Sequence, residues 1–445
     1  MPPRHGLTQV PFDLGQGGIP GRRLVLLVRG ATFLVMIISQ REPSVDALEV
    51  LTQFGASALR AGNTAVRTRE LMESMALKLG FEAIAINLSL DSITANARHS
   101  GKWISTMRML GPPGINVSRI GQLEQLAQAV GPGAAPNEIA ARLKDIDSAA
   151  PLYSRAQIAV AIGLASGSFA FLNGVGVLEI IAAAAGGGIG QLLRWSLSHR
   201  QVNQYGVAAL TAITASGSYV LLSALAKWLG FGIGGYSTGL IASVLFLIPG
   251  FPLIAALFDL LQYQTLAAIS RFAYGLMILL AVAFGLSFVI GVAGVEISRQ
   301  PAVELPYVTK LILRCLASFI AACGFAISFN SPRRAVVAAG ILALAANDMR
   351  LVLVDAGMML APAAFLAALM VGAVALVLSR HVNIPPMATA VAPIVIMIPG
   401  LYAFQMFVLF HQGQVMEALQ AGALLSFVVG ALAIGLATAR LLVRR

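Results

Sequence analysis

Charged side chains are scarce in this chain. Only 11% of its 445 residues are Asp, Glu, Lys or Arg and 58% are hydrophobic, against roughly 25% charged in a soluble domain. With a mean hydropathy of +0.83, that deficit excludes an ordinary soluble globule and implies a membrane protein. Cysteine is nearly absent. Cys315 and Cys323 stand eight residues apart in one apolar run, roughly 12 Å along a helix, which is too far for a disulfide, and no metal-ligand spacing accompanies them. The five histidines are scattered without an HExxH pair, so no metal and no cofactor is expected. A P-loop is missing as well, which argues against direct use of ATP.

The charge that is present has an informative distribution. Lys and Arg number 30 against 19 Asp and Glu, yet residues 44–156 hold 11 basic and 10 acidic side chains. A nucleic-acid partner is therefore not expected, because the positive surplus sits in the N-terminal tail and in short connections between apolar runs. Those connections alternate. One set carries Arg194, His199 and Arg200, then Arg271, Arg333 with Arg334, Arg380 with His381, and Arg440, Arg444 and Arg445. The intervening set holds only Lys227, Arg299 and Lys310, with Glu296 and Glu304 beside the last two. The positive-inside rule then predicts a multi-pass protein of a bacterial-type cytoplasmic membrane, with the N-terminal domain and the C-terminus cytoplasmic.

The pattern predicts a polytopic α-helical membrane protein of about ten transmembrane helices in two five-helix inverted repeats, with a small N-terminal cytoplasmic α+β domain. Residues 1–43 form a tail whose apolar stretch Leu24–Ser39 is too short to span and lacks a small-residue cleavage site, so it reads as an interfacial helix or a dispensable extension in preference to a signal peptide. Residues 44–155 show helical periodicity interrupted at Gly62, with Ser44 as an N-cap. Two or three alternating strands and two more short helices follow. Apolar spans centre near residues 165, 186, 216, 249 and 284 in a first module (156–296), and near 318, 343, 370, 398 and 432 in a second (307–445).

The two modules share landmarks. Asn173 and Asn330 each follow a glycine by six residues, and Arg194 and Arg350 come 21 and 20 residues later. Ile-Pro-Gly falls in the fourth span of both, at Ile248–Gly250 and Ile398–Gly400. Five spans per module makes the second enter the membrane from the opposite side. Pro249, Pro252 and Pro399 each remove a backbone donor and exclude the carbonyl four residues back, at Leu245, Ile248 and Val395. In hydrocarbon such a break persists only against protein or a water-filled cavity. Gly250 and Gly400 permit a true discontinuity. Half-helix ends at the midplane suit a zwitterionic or carboxylate substrate. Candidates along a substrate pathway are therefore Pro249, Gly250, Phe251, Pro252, Pro399, Gly400, Tyr402, Asn173 and Asn330. Ionisable residues within spans supply candidates for proton coupling or ion pairing: Asp348 and Arg350, with Arg314 at comparable depth, and Asp259 near the cytoplasmic end of the fourth span.

The stretch Leu247–Gly275, "LIPGFPLIAALFDLLQYQTLAAISRFAYG", preceded by "GPPGINVSRIGQLEQL", resembles the first module of the threonine/serine exporter family. "GFAISFNSPRRAVVAAGILALAANDMRLVL" with "VAPIVIMIPGLYAFQM" resembles its second. The resemblance covers about residues 45–440 and leaves the N-terminal tail outside. It implies an exporter of small amino acids driven by the proton motive force. Similar two-module proteins, sometimes split into two chains, are associated with dicarboxylates such as succinate. The family motif falls on Pro249, Gly250, Phe251 and Pro252, and on Pro399 and Gly400. Implied partners are a small amino acid or carboxylate substrate, protons and the lipid bilayer; homo-oligomers are compatible with such a protein. Two other classes compete. One is a membrane-bound hydrolase using Asp91, Ser92, His99 and Ser100, although no GxSxG elbow supports it. The other is a non-transporting scaffold or channel.

Overall fold

A computed structural model describes residues 8–11, 22–29 and 32–39 as backbone strands, and residues 43–200, 202–231, 237–295, 305–382 and 385–443 more fully. Glu296, Arg299, Glu304, Arg444 and Arg445, used above in the charge pattern, lie outside the described residues. Strands β1 (Thr8–Pro11), β2 (Arg22–Arg29) and β3 (Thr32–Ser39) pair antiparallel in that order. Leu24–Arg29 and Thr32–Ser39 are thus strand and not the interfacial helix expected from their apolarity. A short apolar run does not distinguish the two by periodicity, and Val25, Val28, Val35, Ile37 and Ile38 are β-branched residues that favour extended backbone.

Residues 43–148 build helices α1 (Pro43–Arg60), α2 (Ala65–Lys78), α3 (Val117–Ala129) and α4 (Pro136–Ser148) around a meander of strands β4 (Ala83–Leu88), β5 (Ser92–His99) and β6 (Lys102–Met109). Pro43, not a capped Ser44, opens α1, as suits a residue without an N–H at a helix start. Leu48, Leu51, Phe54, Met72, Met75 and Ile93 are buried together as the core of this N-terminal region. Gly62 (φ 98°) supplies the turn between α1 and α2, and a Cβ there would lie 2.8 Å from Gly114 O.

The remaining helices are α5 (Arg155–Leu172), α6 (Val177–Ser198), α7 (Gln204–Trp228), α8 (Ser237–Val244), α9 (Gly250–Leu261), α10 (Thr265–Ala293), α11 (Tyr307–Ser328), α12 (Arg333–Asp355), α13 (Leu360–Val382), α14 (Pro386–Met397), α15 (Gly400–His411) and α16 (Val415–Val443). Eight are long and apolar enough to cross a membrane, and the bent pairs α8/α9 and α14/α15 raise the number of described candidate spans to ten. Large apolar side chains such as Leu221, Phe284 and Phe427 stay exposed on the bundle surface, where lipid is their natural solvent. Inside, small residues allow close backbone approach: a Cβ on Gly324 would lie 2.5 Å from Ala161 O where α11 crosses α5, the packing device of membrane helices.

The N-terminal region is fastened to the bundle through the motif around Asn116. Val117 N and Ser118 N donate to the two carbonyls just past the end of α11, at Phe329 (2.9 Å) and Asn330 (3.2 Å). Asn116 Oδ1 caps α3 by accepting from Arg119 N (3.0 Å), and it also accepts from Asn330 Nδ2 (3.0 Å). Asn116→Ala should therefore cost about 0.5–2 kcal/mol through the lost cap, read as a lower melting temperature of the detergent-purified protein. Asn116→Asp, which keeps the cap, should lose less. An unchanged melting temperature in Asn116→Ala would refute the fastening role.

Candidate functional site

The chain interrupts its fourth and ninth spans in the same way. Ile248 (φ −60°, ψ 126°) and Ile398 (φ −66°, ψ 126°) leave helical geometry, followed by Pro249 (φ −75°, ψ 51°) and Pro399 (φ −78°, ψ 68°). Each proline is the centre of an inverse γ-turn, closed by Gly250 N to Ile248 O and by Gly400 N to Ile398 O, both 2.7 Å. A new helix then starts at each glycine, and the two halves meet at 60° in the first span and 41° in the second. The carbonyls expected to be freed are satisfied locally: Leu245 O accepts from Ile248 N (3.1 Å), and Val395 O from Ile398 N (3.2 Å). A Pro-Gly pair can fold back on itself, so the donor lost at proline leaves no bare carbonyl here. At each break the first N–H of the new helix is taken up by the γ-turn, Tyr402 N donates to Pro399 O (3.0 Å), and Pro252 has no N–H to offer.

The breaks are seated on each other. A Cβ built on Gly250 would lie 2.5 Å from Ile398 Cδ1, and one built on Gly400 would lie 1.8 Å from Ile248 Cδ1. Each isoleucine thus occupies the space left by the other motif's glycine. The two spans run antiparallel, because Asp259 near the end of α9 and Pro385 at the start of α14 both touch the N-terminal region.

On either side of this contact lies a cavity of about 220 Å³. The near one, beneath the N-terminal region, is bounded by Gly114 and Ile115 and lined by Pro249, Phe251, Pro252, Gln191, Arg194 and Tyr274. The far one is lined by Pro399, Gly400, Tyr402, Asn173, Asn347 and Arg350. Ile248, Phe325 and Val395 line both and form the wall between them. A third and larger cavity, about 380 Å³, opens between α2, α9, α13, α14 and α16, mostly over apolar side chains.

Arg350 reaches into the far cavity from a fixed scaffold. Asn347 Oδ1 accepts from its Nε (3.1 Å) and Nη2 (2.8 Å), Asn347 Nδ2 donates to Ser318 Oγ (2.9 Å), and Nη1 lies 3.5 Å from Met397 O beside the break. Asp348 is buried, and its carboxylate oxygens have no hydrogen-bond partner among the described residues. It makes no ion pair with Arg350; Arg314 pairs instead with Asp355 (2.5 Å). Asp259 belongs to neither polar cavity. It accepts from Ala65 N (3.0 Å) at the start of α2 and pairs with Arg271 Nε (3.3 Å), while Arg271 Nη2 donates to Asn63 O (2.6 Å). Asn330, with φ 56°, also lies outside both cavities. Its Oδ1 accepts from Leu152 N (2.7 Å), which holds the N-terminal region.

The hydrolase candidates do not converge. Asp91 and Ser92 stand at one end of β5, and His99 and Ser100 at the other, roughly 23 Å away at strand rise. Asp91 accepts hydrogen bonds from the hydroxyls of Ser89 and Ser92, and the Ser89 hydroxyl holds its carboxyl below the usual carboxylate range. An ionised carboxylate of this kind makes a poor general acid. His99 is half-buried, with Nδ1 3.2 Å from Gly80 O.

Family models for the threonine/serine exporter ThrE match residues 49–293 and 314–442. The chain belongs to the threonine/serine exporter family. Among relatives, it is 23% identical over 390 residues to the "Threonine/serine exporter" of Corynebacterium glutamicum, covering 80% of this chain and 74% of that protein. It is 24% identical over 263 residues to the "Probable succinate transporter subunit YjjP" of Escherichia coli (strain K12), covering 58% of this chain and 98% of that one. No solved structure matches. Polar residues that line the two cavities but were not among the sequence-derived pathway candidates are Gln191, Arg194, Tyr274 and Asn347. A signal was present: an amide stands three residues before each arginine, in "QLLR" and "NDMR".

Proposed function

We propose that the chain is a secondary exporter of small amino acids such as threonine and serine across a bacterial-type cytoplasmic membrane. In this reading the N-terminal region and the C-terminus are cytoplasmic. The observation that carries it is the reciprocal seating of Ile398 on Gly250 and Ile248 on Gly400, with one polar cavity on each side of the contact. An inverted repeat supports this arrangement. The residue after each first-helix cap has positive φ, Gly174 at 81° and Asn330 at 56°, and in both halves the arginine follows 20 residues later (194 − 174 and 350 − 330). This register pairs Asn330 with Gly174 in place of Asn173. Two such halves can exchange conformations, opening one cavity while closing the other.

Family membership and the C. glutamicum relative support an amino-acid substrate. A dicarboxylate such as succinate is the second reading, favoured by the YjjP name and by the absence of any Asp or Glu among the described residues lining the two polar cavities. Proton coupling is assigned to Asp348, a buried carboxylate without a hydrogen-bond partner among the described residues. Arg314 and Cys315 on α11 and Arg350 on α12 are the ionisable groups around it. Cells loaded with threonine- and serine-containing dipeptides should retain both amino acids when the protein is deleted. Retention of threonine, serine and succinate identical to that of the parent strain would overturn the exporter reading. In everted vesicles, Asp348→Asn should remove the response of transport to an imposed pH gradient, and an unaltered response would assign Asp348 to structure.

A further inference from the structure

We propose that the two cavities are matched carboxylate sites used in turn: Arg194 with Gln191 and Tyr274 holds the substrate on the inner side, and Arg350 with Asn347 and Tyr402 holds it on the outer side. This rests on the exporter reading above. Both arginines stand 17 residues into the second helix of their module (194 − 177 and 350 − 333). Each has an amide three residues earlier, so the two side chains share a helix face. A tyrosine comes to each site from a different element, Tyr274 from α10 and Tyr402 from α15, within electrostatic reach of its arginine. The first turn of a half-helix completes each lining, α9 at Phe251 and α15 at Gly400.

This set of groups selects an anion. Each cavity holds guanidinium, phenol and amide, while no Asp or Glu is among its described lining residues. Arg271, which also borders the inner cavity, is already paired with Asp259. A planar guanidinium matches a carboxylate with two parallel hydrogen bonds. At about 220 Å³, each cavity is smaller than the roughly 300–1,000 Å³ of drug-sized pockets, which restricts the occupant to a compact metabolite. The two sites differ in readiness. Arg350 is held by Asn347, whereas no hydrogen bond or ion pair reaches the Arg194 guanidinium among the described residues. Gln191 Oε1 is buried without a partner. The inner site therefore presents a free cation for a carboxylate and a free acceptor for an ammonium, so this conformation is the one that receives an amino acid from the cytoplasm.

The test is counterflow of labelled L-threonine in right-side-out and in inverted membrane vesicles, with unlabelled L-threonine or L-threoninamide as competitor. The wild type should favour the acid over the amide by about tenfold or more on both faces, the value of one charged hydrogen-bond pair. Arg194→Gln should erase that preference only in inverted vesicles, Arg350→Gln only in right-side-out vesicles, and the corresponding Arg→Lys variants should restore part of it. If succinate is the permeant, succinate against succinamate gives the same comparison. A variant that keeps the acid preference on its own face, or loses it on both, overturns the proposal while leaving an exporter. A wild type that moves neither threonine nor succinate removes the exporter reading, and this one with it.

Discussion

Gly400→Ala should reduce efflux by roughly 5- to 150-fold, the effect of 1–3 kcal/mol placed on a two-state equilibrium. The added Cβ would stand 1.8 Å from Ile248 Cδ1 and 3.0 Å from Leu245 Cδ2, and overpacking of a filled contact costs about 1–3 kcal/mol. Ile248 Cδ1 is the end of a flexible side chain, so the variant should still insert, with the strain relieved by moving Ile248 off the wall between the cavities. The decisive measurement is a double-mutant cycle. Ile248→Val removes the clashing methyl, and Gly400→Ala combined with Ile248→Val should recover most of the lost transport, a coupling that only residues in contact show. Gly250→Ala with Ile398→Val should behave alike, because that Cβ would meet Ile398 Cδ1 at 2.5 Å. Full efflux in both glycine variants would mean that the seating of the breaks is incidental to transport.

The breaks were legible in the sequence because proline and glycine act locally. Pro249 and Pro399 interrupt their helices whatever surrounds them, and charge alternation predicts the directions in which the two spans run. Their mutual seating is a tertiary fact with no local sign, since Ile248 and Gly400 are 152 residues apart (400 − 248). The expectation of bare carbonyls failed for a local reason: it counted the donors that proline removes but not the γ-turns that Pro-Gly can close. Asn330 resembles Asn173 in sequence position, yet only the backbone shows that it takes the left-handed place of Gly174 and turns its amide toward Asn116. Arg194 was visible as a topology signal. Its place in a cavity with Tyr274 depends on α6 and α10 both packing against α7.

Asp259→Ala should be the most destabilising single change outside the breaks. Asp259 is fully buried and serves two partners at once, the first backbone N–H of α2 and the Arg271 guanidinium. Removing one member of a buried pair leaves the other charge uncompensated, at about 3–5 kcal/mol. Here the orphan would be Arg271, which also holds the Asn63 carbonyl at the turn before α2. The loss should appear first where the N-terminal region meets the bundle. Trypsin should cut between α1 and α4 at concentrations that spare the wild type, and the melting temperature in detergent should fall. Pairing Asp259→Ala with Arg271→Leu should restore part of the stability, because a buried ion pair is worth less than the penalty for breaking it. Transport then reports what the contact is for. The near cavity is roofed by Gly114 and Ile115 of the N-terminal region, so a double variant that is stable yet leaks or loses substrate selectivity would identify that region as the inner closure. Wild-type transport in the same variant would limit Asp259 and Arg271 to holding the two parts of the chain together.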